Sequence, residues 1–345
     1  MDIITKPTPA LRATIKTVAS DAGVSVAAVS KVLRNAYGVS EALRTKVQAS
    51  IERLGYRPNV SARGMRGQTF KVGVILLEIA NPFLSQIMDG VNDVLSASSY
   101  QALMGMGESQ MPLEASLIES MIDFNMDGLI LVAPQMGSEL LVKYAKQIPM
   151  VVIGHHEATA THFDTVNSDD QEGAAIAVRA FLEQGYSDIG MLSRIVGGPV
   201  EANVVHQREI GFRKALAKAG LLTENRVCQI SRYVFRQTND VEDYLISGQA
   251  PRAVFCWSDI DGINLINYAK INNIRVPEDI SIIGYDNTGV AALAPINLAS
   301  IDQSGRRIGS LATETLLSRI AGRTNASHLL IEPTLVKRSS LTSMS

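Results

Sequence analysis

The chain has 345 residues, 46% of them hydrophobic and 19% charged, with a formal net charge of −2. That length allows two or three domains with a sizeable buried core, and that balance excludes a disordered chain or an integral membrane protein. No apolar run approaches the roughly 20 residues that span a bilayer, and Lys6, Pro7, Pro9 and Arg12 interrupt the N-terminus where a signal peptide needs its apolar segment, so a cytoplasmic protein is expected.

Residues 1 to 13 carry two prolines and no periodicity, and read as a flexible tail. From Thr14 to Arg34 two short helices break at Asp21-Ala22-Gly23-Val24, with the hydroxyls of Thr14 and Ser25 placed to cap them. Ile15, Val18, Ala19 and Ala22 line one side of the first helix, and Val24, Ala28, Val29 and Val32 give the second a matching side. Two helices sharing a small core across a tight turn form a helix-turn-helix. Its second helix enters the DNA major groove, so Val26, Ala27, Ser30 and Lys31, outward near its start, are the candidates to touch base edges. Lys31 can donate to guanine, whereas Val26 and Ala27 offer apolar contact such as with a thymine methyl. Ser40 caps a third helix from Glu41 to Leu54, with Leu43, Val47, Ile51 and Leu54 on one face; Gly55 ends it and Pro58 stops its continuation. The DNA-binding domain is thus placed at residues 14–60.

Charge follows the same division. Thr14 to Gly67 holds nine lysines and arginines against three acids, or +6, while the chain beyond Gly67 sums to −9. A basic head on an acidic body suits a protein that neutralises phosphates with one end. By composition Asn59 to Gly67 reads as a loop.

From Lys71 onward short apolar runs alternate with amphipathic segments. The strands are Val72 to Leu77, Gln101 to Met104, Gly128 to Ala133, Met150 to Gly154, Ile189 to Ser193, Val227 to Ile230, Ala253 to Trp257 and Ile280 to Tyr285. Helices such as Ser85 to Ala97, Gln171 to Glu183, His206 to Ala219 and Arg306 to Ile320 lie between them. A strand spacing of about 25 to 30 residues is that of βαβ crossovers, which predicts an α/β core with two doubly wound parallel sheets and a cleft between them. Cys228 and Cys256 sit in apolar runs and read as buried reduced thiols, not a disulfide.

In such sheets ligands sit beyond the carboxyl ends of the strands, which makes Asn81, Phe83, His155 and Gln303 candidates for contact with a small molecule. No acid or cysteine completes a metal-binding spacing with His155, His156 and His162, so a pocket-lining histidine is the preferred reading and neither metal nor cofactor is expected. Gly105-Met106-Gly107 lacks the third glycine of a dinucleotide fingerprint, and Walker, nucleophile-elbow and zinc motifs are missing; the sequence offers no catalytic residues and does not read as an enzyme.

Thr14-Ile15-Lys16-Thr17-Val18-Ala19, Ala22-Gly23-Val24-Ser25 and Val29-Ser30-Lys31-Val32-Leu33 resemble the signature of the lactose-repressor (LacI/GalR) family of transcription regulators. Asn81-Pro82-Phe83, Asp127-Gly128, Asp169-Asp170, Gly211-Phe212, Val276-Pro277-Glu278-Asp279, Gly284-Tyr285-Asp286-Asn287 and Asp302-Gln303 extend the likeness over more than 300 residues. The resemblance implies a periplasmic-binding-protein-like core over residues 71–345 with three crossings between subdomains. One subdomain would hold about 71–165 plus 298–322, the other about 166–297 plus 323–345. It also implies that residues 61–70, after Tyr56-Arg57-Pro58-Asn59, are a hinge that, with Asn59 and Arg63, forms a helix on the operator. There Met65 would take the place of the family's usual leucine wedge in the minor groove.

By the same resemblance, Arg208 and Asp286 hold the effector, Asp259 belongs to a polar pair in which Ser258 replaces the usual asparagine, and Phe235, with Tyr233 nearby, lies where an aromatic lid is found. The implied function is a cytoplasmic, nucleoid-associated repressor, a homodimer or higher, on a pseudo-palindromic operator, governed by a sugar or sugar derivative in the cleft. The rivals are a periplasmic-type sugar-binding protein without a DNA role and a purine-responsive regulator of the same family.

Overall fold

The computed structural model describes residues 13–33, 36–57, 68–108, 110–195, 202–222, 224–230, 240–246 and 250–343. Residues 1–12 of the expected tail, Arg34, the hinge residues Asn59, Arg63 and Met65, and the lid residues Tyr233 and Phe235 lie outside them. The chain divides into two compact units, Met1–Thr69 and Phe70–Ser345.

The first unit contains helices α1 (Ile15–Asp21), α2 (Val26–Leu33) and α3 (Glu41–Leu54). Thr14 caps α1 through a reciprocal pair: its hydroxyl accepts from the Thr17 amide at 3.3 Å, and the Thr17 hydroxyl accepts from the Thr14 amide at 3.1 Å. The Ser25 hydroxyl accepts from the Ala28 amide at 3.1 Å, and Ser40 accepts from Leu43 at 3.3 Å. Between α1 and α2, Gly23 takes a φ of 58°, a left-handed turn that a side chain would strain. Val18, Val29 and Val47, one from each helix, are wholly buried together with Ala19, Ala22 and Val32. The ion pair from Arg53 to Asp21, at 2.5 Å, ties α3 to α1.

The second unit begins with β1 (Lys71–Leu76), α4 (Phe83–Ser96), β2 (Gln101–Met106), α5 (Met111–Asp123), β3 (Gly128–Val132), α6 (Ser138–Ala145), β4 (Met150–Ile153) and β5 (Asp164–Ser168). It continues with α7 (Asp170–Glu183), β6 (Ile189–Arg194), α8 (Val204–Lys218), β7 (Val227–Ile230), α9 (Asp240–Ile246), β8 (Ala253–Cys256), α10 (Asp259–Ile271), β9 (Ser281–Tyr285) and β10 (Ala299–Asp302). Helix α11 (Gly305–Ile320) and strands β11 (His328–Ile331) and β12 (Thr334–Val336) complete it. Among the described residues two six-stranded sheets result, ordered β11-β5-β4-β3-β1-β2 and β12-β10-β9-β8-β6-β7.

Two expectations need correction. Strand β10 belongs to the second sheet and β11 to the first, so the stretches assigned as 298–322 and 323–345 each divide between the subdomains. The chain changes sheets after β5, after β10 and again after β11. The sheets are also not wholly parallel, because β12 runs antiparallel to β10 along one edge. Strands β5, β10, β11 and β12 escape sequence reading because they are short and, as in Asp164-Thr165-Val166-Asn167-Ser168, polar residues are buried in them by long-range pairing.

Strand alternation sends Val72, Val74, Ile130 and Val151 toward α4 and α11, and Leu129, Leu131 and Val152 toward α5 and α6. Helices α4 and α11 touch backbone to backbone: a methyl on Gly90 would stand 1.9 Å from the Arg306 carbonyl oxygen, and one on Gly309 would stand 2.0 Å from that of Ile87. Asp164, fully buried at the start of β5, accepts from Arg319 at 2.7 and 2.8 Å, from Arg323 and from the Ser327 amide, which fixes the end of α11 and the entry to β11. Burial would raise the Asp164 pKa, but these cations and the amide hold it below the ordinary carboxylate range. Cys256 is buried and Cys228 partly so, and the two do not form a disulfide. Among the described residues, no helix is long and apolar enough to cross a membrane.

Candidate functional site

In the first unit the caps consume the hydroxyls of Thr14 and Ser25, which set where α1 and α2 begin. At the start of α2, Val26 is 41% exposed, and Ala27 and Lys31 are exposed, while Ser30 is half-buried. Val29 and Val32 face the core, so the side that leaves Val26, Ala27 and Lys31 free is fixed by packing. An exposed valine and alanine beside a lysine form a narrow surface able to offer methyl contacts and one cation to a groove.

In the second unit the carboxyl ends of strands from both sheets converge on a small cavity of about 60 Å³. Leu77 and Glu78 follow β1, Ala133 follows β3, Gly154 follows β4 and Ser168 ends β5; from the second sheet come Trp257 after β8, Asp286 after β9 and Gln303 after β10. Asn81, Phe83 and Arg208 also line it. These positions are hundreds of residues apart in the chain, yet each sits at a strand end or at a helix start.

Asp286 is 2% exposed and adopts a φ of 106°, followed by Asn287 at 46°. Two successive left-handed residues without glycine cost energy, and here the bond from the Asn287 amide to the Ser300 hydroxyl (2.9 Å) and that from the Asp286 amide to the Ile301 carbonyl (2.8 Å) hold them. The turn aims the carboxylate into the cavity. One of its oxygens accepts from the Asn81 side-chain amide at 3.1 Å and the other from Gln303 at 2.6 Å. Burial, with repulsion from Asp259, pushes its pKa up to about 7 against the pull of Arg208 and the two amides.

Arg208, 3% exposed on α8, donates from Nε to Asp170 Oδ1 at 2.7 Å and from Nη1 to the Trp257 carbonyl at 2.6 Å. Its guanidinium lies 3.6 Å over the Tyr285 ring and 4.9 Å from the centroid of the Trp257 ring. The Tyr285 hydroxyl donates to the same Asp170 oxygen at 3.3 Å. Burial would raise the Asp170 pKa, but Arg208 and His156 outweigh it and hold the carboxyl below its usual range.

The structure brings Asn81, Phe83, Arg208, Asp286 and Gln303 together as the sequence anticipates. Two candidates fall elsewhere. The His155 ring turns into the first subdomain, 3.2 Å from the Ser138 hydroxyl and edge-on to Phe163, where burial lowers its pKa; its neighbour His156 is the one that reaches Asp170. Asp259 is fully buried as a structural knot, accepting from the Thr288 amide at 2.6 Å, the Thr288 hydroxyl at 2.9 Å and the Ser300 hydroxyl at 2.5 Å. Its carboxylate braces the Asp286 turn from behind and does not line the cavity. Ser258 caps α10 and donates to Asp261 at 2.7 Å.

Three further residues line or brace the cavity. Trp257 lines the cavity with its indole Nε1 buried and without a hydrogen-bond partner among the described residues. Arg194 lies over the same ring at 4.8 Å, is clamped by Asp261 at 3.1 and 3.2 Å, and reaches across to Glu78 at 3.7 Å. Asp170 is visible only as half of an acidic pair. Among the described residues no three histidines, cysteines or acids are grouped to hold a metal. A carboxylate, two amides and a guanidinium around one cavity suit a neutral molecule rich in hydroxyls, which can donate to the first and accept from the others.

Family models match this geometry in two places: "bacterial regulatory proteins, lacI family" at residues 14–59 and "periplasmic binding protein-like domain" at residues 178–341. The HTH-type transcriptional repressor PurR of Photobacterium profundum is 31% identical over 337 residues, covering 95% of this chain and 98% of that protein. The HTH-type transcriptional repressor CytR of Escherichia coli is 30% identical over 313 residues, covering 90% and 91%. Among solved structures, a complex of the transcriptional regulator CelR with cellobiose is 27% identical with a TM-score of 0.70, covering 95% of this chain and 100% of that one. The Lac repressor dimer bound to operator and an anti-inducer shares the fold at a TM-score of 0.81 and 22% identity, covering 96% and 100%.

Proposed function

The chain belongs to the lacI family of bacterial regulatory proteins and is a DNA-binding repressor under small-molecule control; from that premise we propose that the controlling molecule is a sugar or sugar derivative held in the cleft by Arg208, Asp286, Asn81 and Gln303. The observation that carries this reading is the Asp286 carboxylate, aimed by a strained turn at the cavity and already taking two side-chain amides, with Arg208 on the same cavity. Vicinal hydroxyls can replace or extend such bonds. The cellobiose held by the related CelR supports the same chemical class.

Asn81 belongs to the first subdomain and Asp286 to the second, so a molecule held between them biases the cleft toward one closure. Effector and operator affinities are then reciprocally coupled. On the DNA side, Val26, Ala27 and Lys31 read base edges from α2, with Ser30 beside them. Asn59, Arg63 and Met65, outside the described residues, complete the DNA face on the strength of the family likeness. The protein works as a cytoplasmic homodimer on a pseudo-palindromic operator and catalyses no reaction.

The test is calorimetric titration of the full chain with hexoses, pentoses, disaccharides, polyols and, separately, purine bases and nucleosides. Saturable binding within the carbohydrate group, lost in Asp286→Ala, is expected. Binding confined to purines would overturn the effector class.

A further inference from the structure

The arginine assigned to the effector does not stand by itself. Asp170, its partner at 2.7 Å, presents one oxygen to Arg208 and the other to the His156 imidazole, also at 2.7 Å. Asp170 opens α7 in the second subdomain, whereas His156 follows β4 in the first. The backbone repeats the link: the His156 amide donates to the Ala202 carbonyl at 2.8 Å, and His155 bridges to Asn203, the residue that caps the helix carrying Arg208. A carboxylate with each oxygen committed to a different cation or donor cannot rotate without breaking one of the bonds.

We infer that His156 is a positioning residue for Arg208: through Asp170 it fixes the guanidinium in the cleft only while the two subdomains are closed on each other. The inference rests on Arg208 being the effector-holding arginine. When the subdomains part, His156 withdraws from Asp170 Oδ2, the carboxylate keeps only the Arg208 and Tyr285 bonds on Oδ1 and loses its second anchor, and Arg208 is held less firmly at Nε while keeping its bond to the Trp257 carbonyl. Closure and readiness to bind are thereby one event, and the coupling lies in a side chain that need not touch the effector. Glu78 with Arg194 and Asn81 with Asp286 also cross the cleft, but neither acts through Arg208.

Trp257 makes this measurable without any effector. It is the only tryptophan in the chain, Arg208 bonds to its carbonyl and the guanidinium lies over its ring. Nitrogen-15 correlation spectra of the full chain therefore contain a single indole N–H peak that reports where Arg208 stands. In His156→Ala that peak is expected to shift. In His156→Gln, whose amide can still donate to Asp170, it is expected to return toward the wild-type position. An alanine variant whose peak superimposes on wild type would overturn the inference, and so would a glutamine variant displaced as far as alanine. No effector is added, so the result is separate from whether Arg208 touches one; that reading fails instead if Arg208→Ala retains the calorimetric response.

Discussion

The helix-turn-helix and the cleft are built from opposite kinds of information. In the first, the interactions that set the helix boundaries are short: Thr14 with Thr17, Ser25 with Ala28, Ser40 with Leu43, and a left-handed glycine between two helices. In the cleft, the bonds that matter join Asn81 to Asp286 and His156 to Asp170 to Arg208, across up to 205 residues of chain. A DNA reader can be specified by local signals because it presents one helix face. A controllable pocket must draw on two subdomains, since only groups from both can sense how they close.

The sharpest way to break this contrast is at a long-range knot. Replacing Asp164 with alanine leaves Arg319 and Arg323 without their buried partner and should destabilise the core by about 3–5 kcal/mol in denaturant unfolding. A loss below about 1 kcal/mol would mean that distance in sequence carries no special weight here.

Next comes a pH effect in the cleft. Burial raises the folded-state pKa of Asp286 to about 7, above its unfolded value, so the native state keeps that proton longer. Wild-type stability should therefore fall as pH rises from about 4 to about 7, and level off above that, an effect of up to about 4 kcal/mol for roughly three pKa units. Asp286→Asn has no such proton to lose. The melting-temperature difference between variant and wild type should shift in the variant's favour across that window; a difference constant with pH contradicts the account.

In the small head core, Val47→Ala removes two methyls from a fully buried position and should cost about 2 kcal/mol, with loss of operator binding and no change in the ligand-induced stabilisation of the core. Smaller still, Ser25→Ala removes a cap and should weaken α2 by about 1 kcal/mol, lowering operator affinity without changing its sequence preference. Altered preference would place Ser25 among the base readers.

The same contrast explains what can be read from the sequence. Helix boundaries in the head follow from caps and glycines, and most core strands from apolar runs. Asn81, Arg208, Asp286 and Gln303 are within reach because strand ends and a family likeness both point to them. Sequence favours His155 over His156 because strand-end position cannot say which of two adjacent rings faces the cleft; pairing with Ser138 and Phe163 decides it. Asp259 misleads because Thr288 and Ser300, which take up its carboxylate, arrive from another loop and another strand. Trp257 looks like core in its apolar run, and only the fold leaves its indole nitrogen without a partner among the described residues, on a polar cavity.

Arg208 and Asp286 are proposed to hold the molecule that controls DNA binding. The direct measurement is operator affinity by fluorescence anisotropy, on DNA selected from a random library, with and without the carbohydrate found by calorimetry, for wild type, Arg208→Ala and Asp286→Ala. Each variant should bind operator as wild type does in the absence of carbohydrate and show no change when it is added. A ligand-induced change of wild-type size in both variants would contradict the account.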